Sequence, residues 1–437
     1  MRNYVDNRGI NNTATIAHFA QWREKEESTF IWRDKWVEDI RFSKSHFRIS
    51  AVSSVLVATV RKRIAVVGGG IAGLVTAWLL DSTHEVVLFE RNNRLGGHAH
   101  TVDGGFDLAA QFVSPAVQPT YWRLAHDVLG MKMERMRNTA ALNDPRRLLD
   151  SVQPYRTPMA AAALGAMMAA GLTNRTWDMT VAEFVSRRLG WLPAATRNDV
   201  VLPWIAAFGN CVIPIALETS AMAALAFILR AATLTSLTYY NAVDGLGAIA
   251  DRLMITDVRL STEITEVTRS PQGFHVGAEV FDVLVLAVPA SVARKLLTGV
   301  LDRDLSGFQE IRATMAIHAD PIYMPARRRD WRAFNAVRTG EHCEASIWYG
   351  GLRGTDEQIF KSWTTFRDKQ PSEVIAAAEY WHPVITPETI RAQKRLEAAQ
   401  GRDDLWFAGS WTNDVDSQES AVVSAVRIGQ RLGGRTF

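Results

Sequence analysis

The sequence predicts an α/β protein: a discontinuous, doubly wound sheet domain joined to an α+β second domain. Three observations carry this. Residues 61–101 read as strand, glycine turn, helix, strand. Further apolar strand runs return late, at Val283–Val288 before Pro289 and at Leu405–Ala408, as a buried parallel sheet needs. Between them, residues 131–240 look helical and largely apolar, whereas 301–395 hold alternating segments such as Ala345–Tyr349 that suggest a second sheet. At 437 residues the chain exceeds what one core usually serves, so two domains are expected.

The first stretch organises the rest. Ile64 to Val67 is a short apolar, β-branched run, read as a buried strand. Gly68-x-Gly70-x-x-Gly73 follows at once, with Ala72 inside the turn, and a helix is expected over Ile71–Leu80. Val86–Phe89 is the second strand, closed by Glu90, 17 residues after Gly73. The three glycines serve different ends. Gly68 allows the tight turn, Gly70 the close approach of a pyrophosphate to the backbone, and Gly73 close helix–strand packing. The helix N-terminus offers free N–H groups and a positive dipole end to phosphate, and an acid at the strand end can accept ribose hydroxyls. Glycines also mark ordinary turns; strand, helix, strand and acid in this order make the stretch a Rossmann-like dinucleotide-binding unit.

Arg94-Leu95-Gly96-Gly97-His98-x-x-Thr101 comes directly after Glu90. It resembles the second glycine motif of the FAD-containing amine oxidase superfamily, which includes phytoene-desaturase-like enzymes and protoporphyrinogen oxidases. The resemblance covers about residues 61–437 and implies FAD as cofactor. By it, Arg94, Gly96 and Gly97 line the pyrophosphate and ribityl chain, and His98 is a flavin contact. Phe106–Phe112 is similar to the superfamily's D-x-G-A-Q-F segment, so Ala110, Gln111 and Phe112 pass beside the isoalloxazine, with Ala109 where glycine is usual. The backbone near Ile264 meets the adenine. Near the C-terminus, Gly409, Trp411 and the helix opened by Glu419, Ser420 and Ala421 face the flavin. The likeness is greatest to a bacterial group of NAD/FAD-binding, amine-oxidase-like proteins that often accompany cyclopropane-fatty-acid synthase-like genes. It is carried by Leu202-Pro203, His318-Ala319-Asp320, Met324-Pro325, Arg327–Arg329, Trp331, His382-Pro383-Val384 and Trp406–Trp411. The group ends in G-F-H-E-D-G, where this chain has Asn413–Ser420.

On this basis residues 61–118, 241–300 and 396–437 form the FAD-binding domain, and 119–240 with 301–395 the substrate domain. Within them, Tyr121–Leu129 reads as a helix ended by Gly130, and Thr180 with Glu183 as a capping box. Val258–Leu260, Ile264–Val267 and Phe274–Val276 read as strands continuing the first sheet. Met159–Leu172 is charge-free but too short to span a bilayer; this stretch and Thr219–Leu229 are either core helices, the wall of a tunnel for an apolar substrate, or a monotopic membrane face. Residues 1–60 are an extension dense in mixed charge, with Trp22, Trp32 and Trp36 interleaved; a mis-called start and a docking arm are the two readings.

The net charge of +3 gives no argument for nucleic acid. Cys211 and Cys343 have neither CxxC nor metal spacing, so no metal site and a reducing compartment are expected. With no signal-like apolar core near the start and no spanning segment, the expected location is the cytoplasm, with peripheral contact to a membrane. The sequence assigns no catalytic residue. Flavin amine oxidases usually hold a lysine-bound water near the flavin N5, and the Pro325–Trp331 segment offers no lysine. His100 and His318 are candidates with a structural alternative, Cys343 is a poor candidate for a covalent anchor, and Arg327–Arg329 are either a head-group site or a solvated loop. The expected function is FAD-dependent oxidation of a C–C or C–N bond in an apolar, lipid-linked substrate. The alternatives are a redox-neutral flavin isomerase and a non-catalytic flavin-binding partner of a lipid-modifying enzyme.

Overall fold

The computed structural model describes residues 60–144, 147–150, 158–231, 238–297 and 302–437. The N-terminal extension lies outside the described residues. A five-stranded parallel sheet runs in the order Leu405–Phe407, Val283–Leu286, Arg63–Val67, Glu85–Phe89, Asp257–Arg259. Alternate residues of its strands feed two cores. Ile64, Val66, Val86, Leu88, Val283, Val285 and Trp406 point to one, while Ala65, Val67, Val87, Phe89, Leu284, Leu286, Leu405 and Phe407 point to the other. Both faces are covered, which explains why these strands read as continuous apolar runs.

Helix Ile71–Leu80 lies on the first face, with the C-terminal helix Gln418–Arg431 packed against it. Their approach depends on Gly429: a Cβ there would stand 2.9 Å from Leu79 Cδ1. Helices Ala290–Leu296 and Pro387–Ala399 cover the second face.

Three expectations are corrected. Ile264–Val267 is not a strand: Ser261 turns the chain at φ 51°, and the N–H groups of Ser261 and Thr262 bond to Asn92 O and Glu90 O. The next strand therefore starts at Val267 and belongs, with Gly273–Val276 and Glu279–Phe281, to a separate antiparallel three-stranded sheet rather than to the parallel one. The helix expected over Tyr121–Leu129 is a short α-turn, Pro119–Trp122, followed by a π-helical turn, Arg123–Val128, with Gly130 at φ 63° ending it.

The second sheet has seven strands, ordered Val374–Val384, Gln309–His318, Phe360–Trp363, His342–Trp348, Phe334–Thr339, Ala140–Asp144, Arg147–Asp150. Its last two strands come from the region read as helical. The helices of that region, among them Pro158–Leu172, Val181–Arg188, Leu202–Gly209 and Ala221–Ala231, share a core of Ala163, Met167, Phe184, Val201, Ile205 and Leu225. Thr180 and Glu183 form the expected capping box. One face of the second sheet, through Met315, Ile317 and Ile347, packs on Phe106, Leu108 and Ala109.

The turn at Gly68–Gly73 sets a test of which glycine serves the fold. A Cβ on Gly73 would stand 1.9 Å from Gly68 O, whereas one on Gly70 would meet nothing within 4 Å. Gly73→Ala should abolish soluble folding or lower the thermal midpoint sharply. Gly70→Ala, measured on flavin-free protein, should stay within about 0.5 kcal/mol of the parent. Equal effects in thermal unfolding would refute this division.

Candidate functional site

The first strand ends into a turn that only glycine allows. Gly68 has φ 110°, its N–H bonds to Phe89 O at 2.8 Å, and a Cβ on it would lie 2.4 Å from Ala287 O. Helix Ile71–Leu80 then begins at Gly70 with no side chain capping its N-terminus. Its first N–H groups are therefore left for an anion.

Glu90 is buried at the end of the second strand. Its Oε2 accepts from Gly69 N at 2.7 Å, and its Oε1 from Asn92 N at 2.8 Å and Asn92 Nδ2 at 2.6 Å. A carboxylate has about four acceptor positions, so capacity remains for a ribose hydroxyl. The bonds from Ser261 and Thr262 hold the following loop, with half-buried Ile264, beside this acid.

The second glycine loop closes over the first. Gly96 N donates to Gly69 O at 2.8 Å, and a Cβ on Gly97 would come within 3.0 Å of Gly70 Cα. Arg94 folds back onto this loop, its guanidinium reaching Leu95 O at 3.3 Å and Gly97 O at 3.0 Å. Ala72 is buried in the first helical turn. Ala110 N donates to His98 O at 2.9 Å and Leu108 N to His100 O at 2.8 Å, so the 108–112 segment lies alongside 98–100. The sequence motifs therefore meet around one cradle, floored by Gly70, where a side chain would find open space. Inside it, Gln111 is buried and its Nε2 has no protein partner. An uncapped helix end, an acid with spare acceptor capacity and an unpartnered amide together fit a dinucleotide.

The C-terminal candidates do other work with their side chains. Trp411 is buried in the second core, packs on Phe308 and Phe407 and donates from Nε1 to Val288 O at 3.0 Å. Gly409, at φ 151°, sits against that indole: a Cβ there would be 2.6 Å from Trp411 Nε1. The Glu419 carboxylate accepts from Thr120 N at 3.1 Å and Tyr121 N at 2.8 Å. Ser420 N donates to Ser417 Oγ at 3.1 Å, Ser420 Oγ to Val415 O at 2.6 Å, and Ala421 is buried. What this helix start offers a flavin is backbone. Phe112 is half-buried, its ring edge-on to Tyr239.

Sequence reasoning missed Lys361. It lies on the strand Phe360–Trp363, opposite Ile317, and is fully buried. Its Nζ donates to Ala109 O and to Gln111 Oε1, the latter at 3.2 Å, beside the segment that the resemblance runs along the isoalloxazine. Burial lowers the lysine's pKa, while the nearby Asp107 carboxylate works the other way. Burial raises the pKa of Asp107 against the bonds from Thr101 Oγ1 and Leu246 N, at 2.7 and 2.8 Å. One signal was readable: Lys361 is the sole charge between Glu357 and Arg367.

The other candidates separate. His318 is buried in the second sheet, bonded through Nε2 to Ser362 Oγ at 2.8 Å, and burial lowers its pKa to about 4. His100 Nδ1 meets the Tyr380 hydroxyl at 2.7 Å. Arg328 pairs with Asp356 at 3.2 Å and lies over the Trp331 and Trp348 rings. Cys343 is buried near Leu142 and Ala336, in an apolar cluster.

Comparison with known proteins places the fold and the family. The crystal structure of a CLA-producing fatty acid isomerase from P. acnes superposes with a TM-score of 0.65 at 17% identity, covering 85% of this chain and 98% of that one. Putrescine oxidase bound to putrescine gives 0.60 at 14%, covering 85% and 98%. At these identities the likeness is one of fold. No curated protein matches the sequence. The model of the flavin-containing amine oxidoreductases matches residues 71–393. That span begins at the first residue of the cradle's helix and takes in both glycine loops' downstream partners and Lys361. The chain therefore belongs to the flavin-containing amine oxidoreductases, FAD-dependent oxidoreductases whose cofactor the cradle at Gly70 fits.

Proposed function

We propose that this oxidoreductase oxidises a C–C or C–N bond of an apolar, lipid-linked substrate taken from a membrane surface. Bound FAD supplies the hydride acceptor. The chain's own residues position that acceptor: Gly70 and the helix start hold phosphate, Glu90 the ribose, and the Ala109–Phe112 segment, steadied by Lys361, the ring.

One observation carries the substrate class. Helix Pro158–Leu172 has 15 residues and no charged or hydrogen-bonding side chain. It buries Ala163, Met167 and Gly171 on one face, while Met159, Ala162, Gly165, Ala169 and Leu172 stand exposed on another. Water favours polar groups on an exposed helix face; a hydrocarbon surface favours this one. Among the described residues no helix is long and apolar enough to cross a membrane, so the face suits surface contact. The fatty acid isomerase neighbour gives a second reading, a redox-neutral isomerase that returns the hydride to its substrate.

Two outcomes are expected. Purified protein should be yellow and release FAD on denaturation, and Gly70→Val should keep its fold yet lose the flavin, because its side chain fills only the cradle. Unchanged flavin content in the folded variant would detach the turn from the cofactor. Second, oleic acid or geranylgeraniol should bleach the flavin anaerobically, and putrescine should not. Bleaching by putrescine alone would return the substrate to the small amines, while isomerised lipid without net bleaching or an added acceptor would select the isomerase.

A further inference from the structure

We infer that His382 and Asp416 form a proton-accepting dyad at the substrate side of the flavin site, with His382 Nε2 as the base and Asp416 as its positioning partner. The inference rests on the oxidoreductase reading above and adds residues to it.

Three distant segments build the dyad. His382 lies near the end of the edge strand Val374–Val384 of the second sheet. Asp416 lies in the loop beyond the C-terminal end of the parallel strand Leu405–Phe407, one residue before the cap of the last helix. Ligands of open parallel sheets bind beyond the carboxyl ends of the strands. The third segment is the second glycine loop: the His98 ring stands 5.1 Å from the His382 ring and 4.9 Å, edge-on, from Tyr380. The dyad thus adjoins the loop that carries Gly96 and Gly97, where both domains meet.

The hydrogen bonds fix the roles. His382 Nδ1 is 2.8 Å from Asp416 Oδ2, and Asp416 Oδ1 accepts from Ser410 Oγ at 2.5 Å. A carboxylate can only accept, so Nδ1 carries a proton, and in the neutral ring Nε2 keeps its lone pair. Nε2 is buried and has no protein partner. A buried acceptor left unpaired is costly, and a substrate N–H, O–H or acidic C–H would pair it. Burial works to raise the pKa of Asp416, but the bonds from His382 and Ser410 prevail and lower it, so the carboxylate stays ionised.

The groups around His382 leave it the role. His98, on the glycine loop, has its pKa lowered to about 4, by burial first, so it is neutral near pH 7. Burial pushes the Tyr380 hydroxyl up to about 12, and it is bonded to His100. Arg94 carries the loop's positive charge and is turned onto Leu95 O and Gly97 O.

Oxidising H–C–X–H to C=X, with X carbon or nitrogen, removes one hydride and one proton. Bound FAD would supply the acceptor for the hydride leaving carbon, and the proton on X would go to His382 Nε2, as the C–H and X–H bonds break and the second C–X bond forms. The resulting imidazolium faces the Asp416 carboxylate.

The test has two limbs on the full-length, FAD-loaded protein. In the first, ¹⁵N-histidine NMR reads the tautomer with no substrate present. One imidazole should show the Nδ1–H form, and that signal should vanish in His382→Gln and change in Asp416→Asn. A His382 signal in the Nε2–H form, or one indifferent to Asp416→Asn, overturns the dyad. In the second limb, stopped-flow follows flavin reduction by oleic acid, geranylgeraniol and dodecylamine. His382→Gln should slow it by about 10²–10⁴-fold at unchanged flavin content and thermal midpoint, and the wild-type rate should rise with pH. Full-speed reduction in His382→Gln overturns the catalytic role even if the NMR signature stands. If no compound bleaches wild-type flavin while the NMR signature is intact, the oxidoreductase reading on these substrates falls, and the proton-accepting role falls with it.

Discussion

The structure depends on one close approach of backbone to backbone. Gly73 passes so near Gly68 that a Cβ would sit 1.9 Å from the carbonyl oxygen, and a Cβ on Gly97 would come within 3.0 Å of Gly70 Cα. Removing side chains at these points lets the first strand turn directly into its helix and lets the second glycine loop close above it. The consequences spread outward. The helix N-terminus is aimed at the cradle, Glu90 is drawn to Gly69, and residues 98–100 are carried to where the 108–112 segment can bond to them. Gly70 stands apart from this logic, for no protein atom needs the space beside it. The division between glycines that shape the turn and one that leaves room for a ligand is what makes the site a site.

Much of this was legible in the sequence because it rests on local pattern. The first strand, helix and second strand lie within a residue of their expected limits, and the late apolar runs at Val283 and Leu405 took their places in the parallel sheet. The failures have physical causes. Ile264–Val267 has a strand's composition, but its chain is committed to hydrogen bonds with the loop after Glu90, so the strand starts later. Strand Ala140–Asp144 was hidden because its partner, Phe334–Thr339, lies almost 200 residues on, and Arg147–Asp150 joins the sheet only by pairing with Ala140–Asp144. Periodicity carries no information at that range.

The same limit governed the site. The cradle around Gly70 is built from continuous motifs and could be read. The proposed substrate side is assembled from single residues on different elements, and such residues look ordinary in sequence. Lys361 is one lysine in a strand, His382 precedes a proline, and Asp416 is one acid in a polar loop; what gives each a role is a partner between 34 and 252 residues away. Glu419 divides its parts: its carboxylate ties the last helix to the Pro119–Trp122 turn, which leaves only the backbone of the helix start for the expected flavin contact.

Lys361 also bears on how far the structure can move. Its stem is rooted in the second sheet, and its ammonium is bonded to Ala109 and Gln111 in the segment that follows the glycine loop. Parting the sheet from this segment would pull a buried amine off both acceptors at once, and leaving such a group unpaired costs several kcal/mol, by a rough estimate. The lysine is thus a rivet between sheet and segment, and it argues against any motion that swings one away from the other.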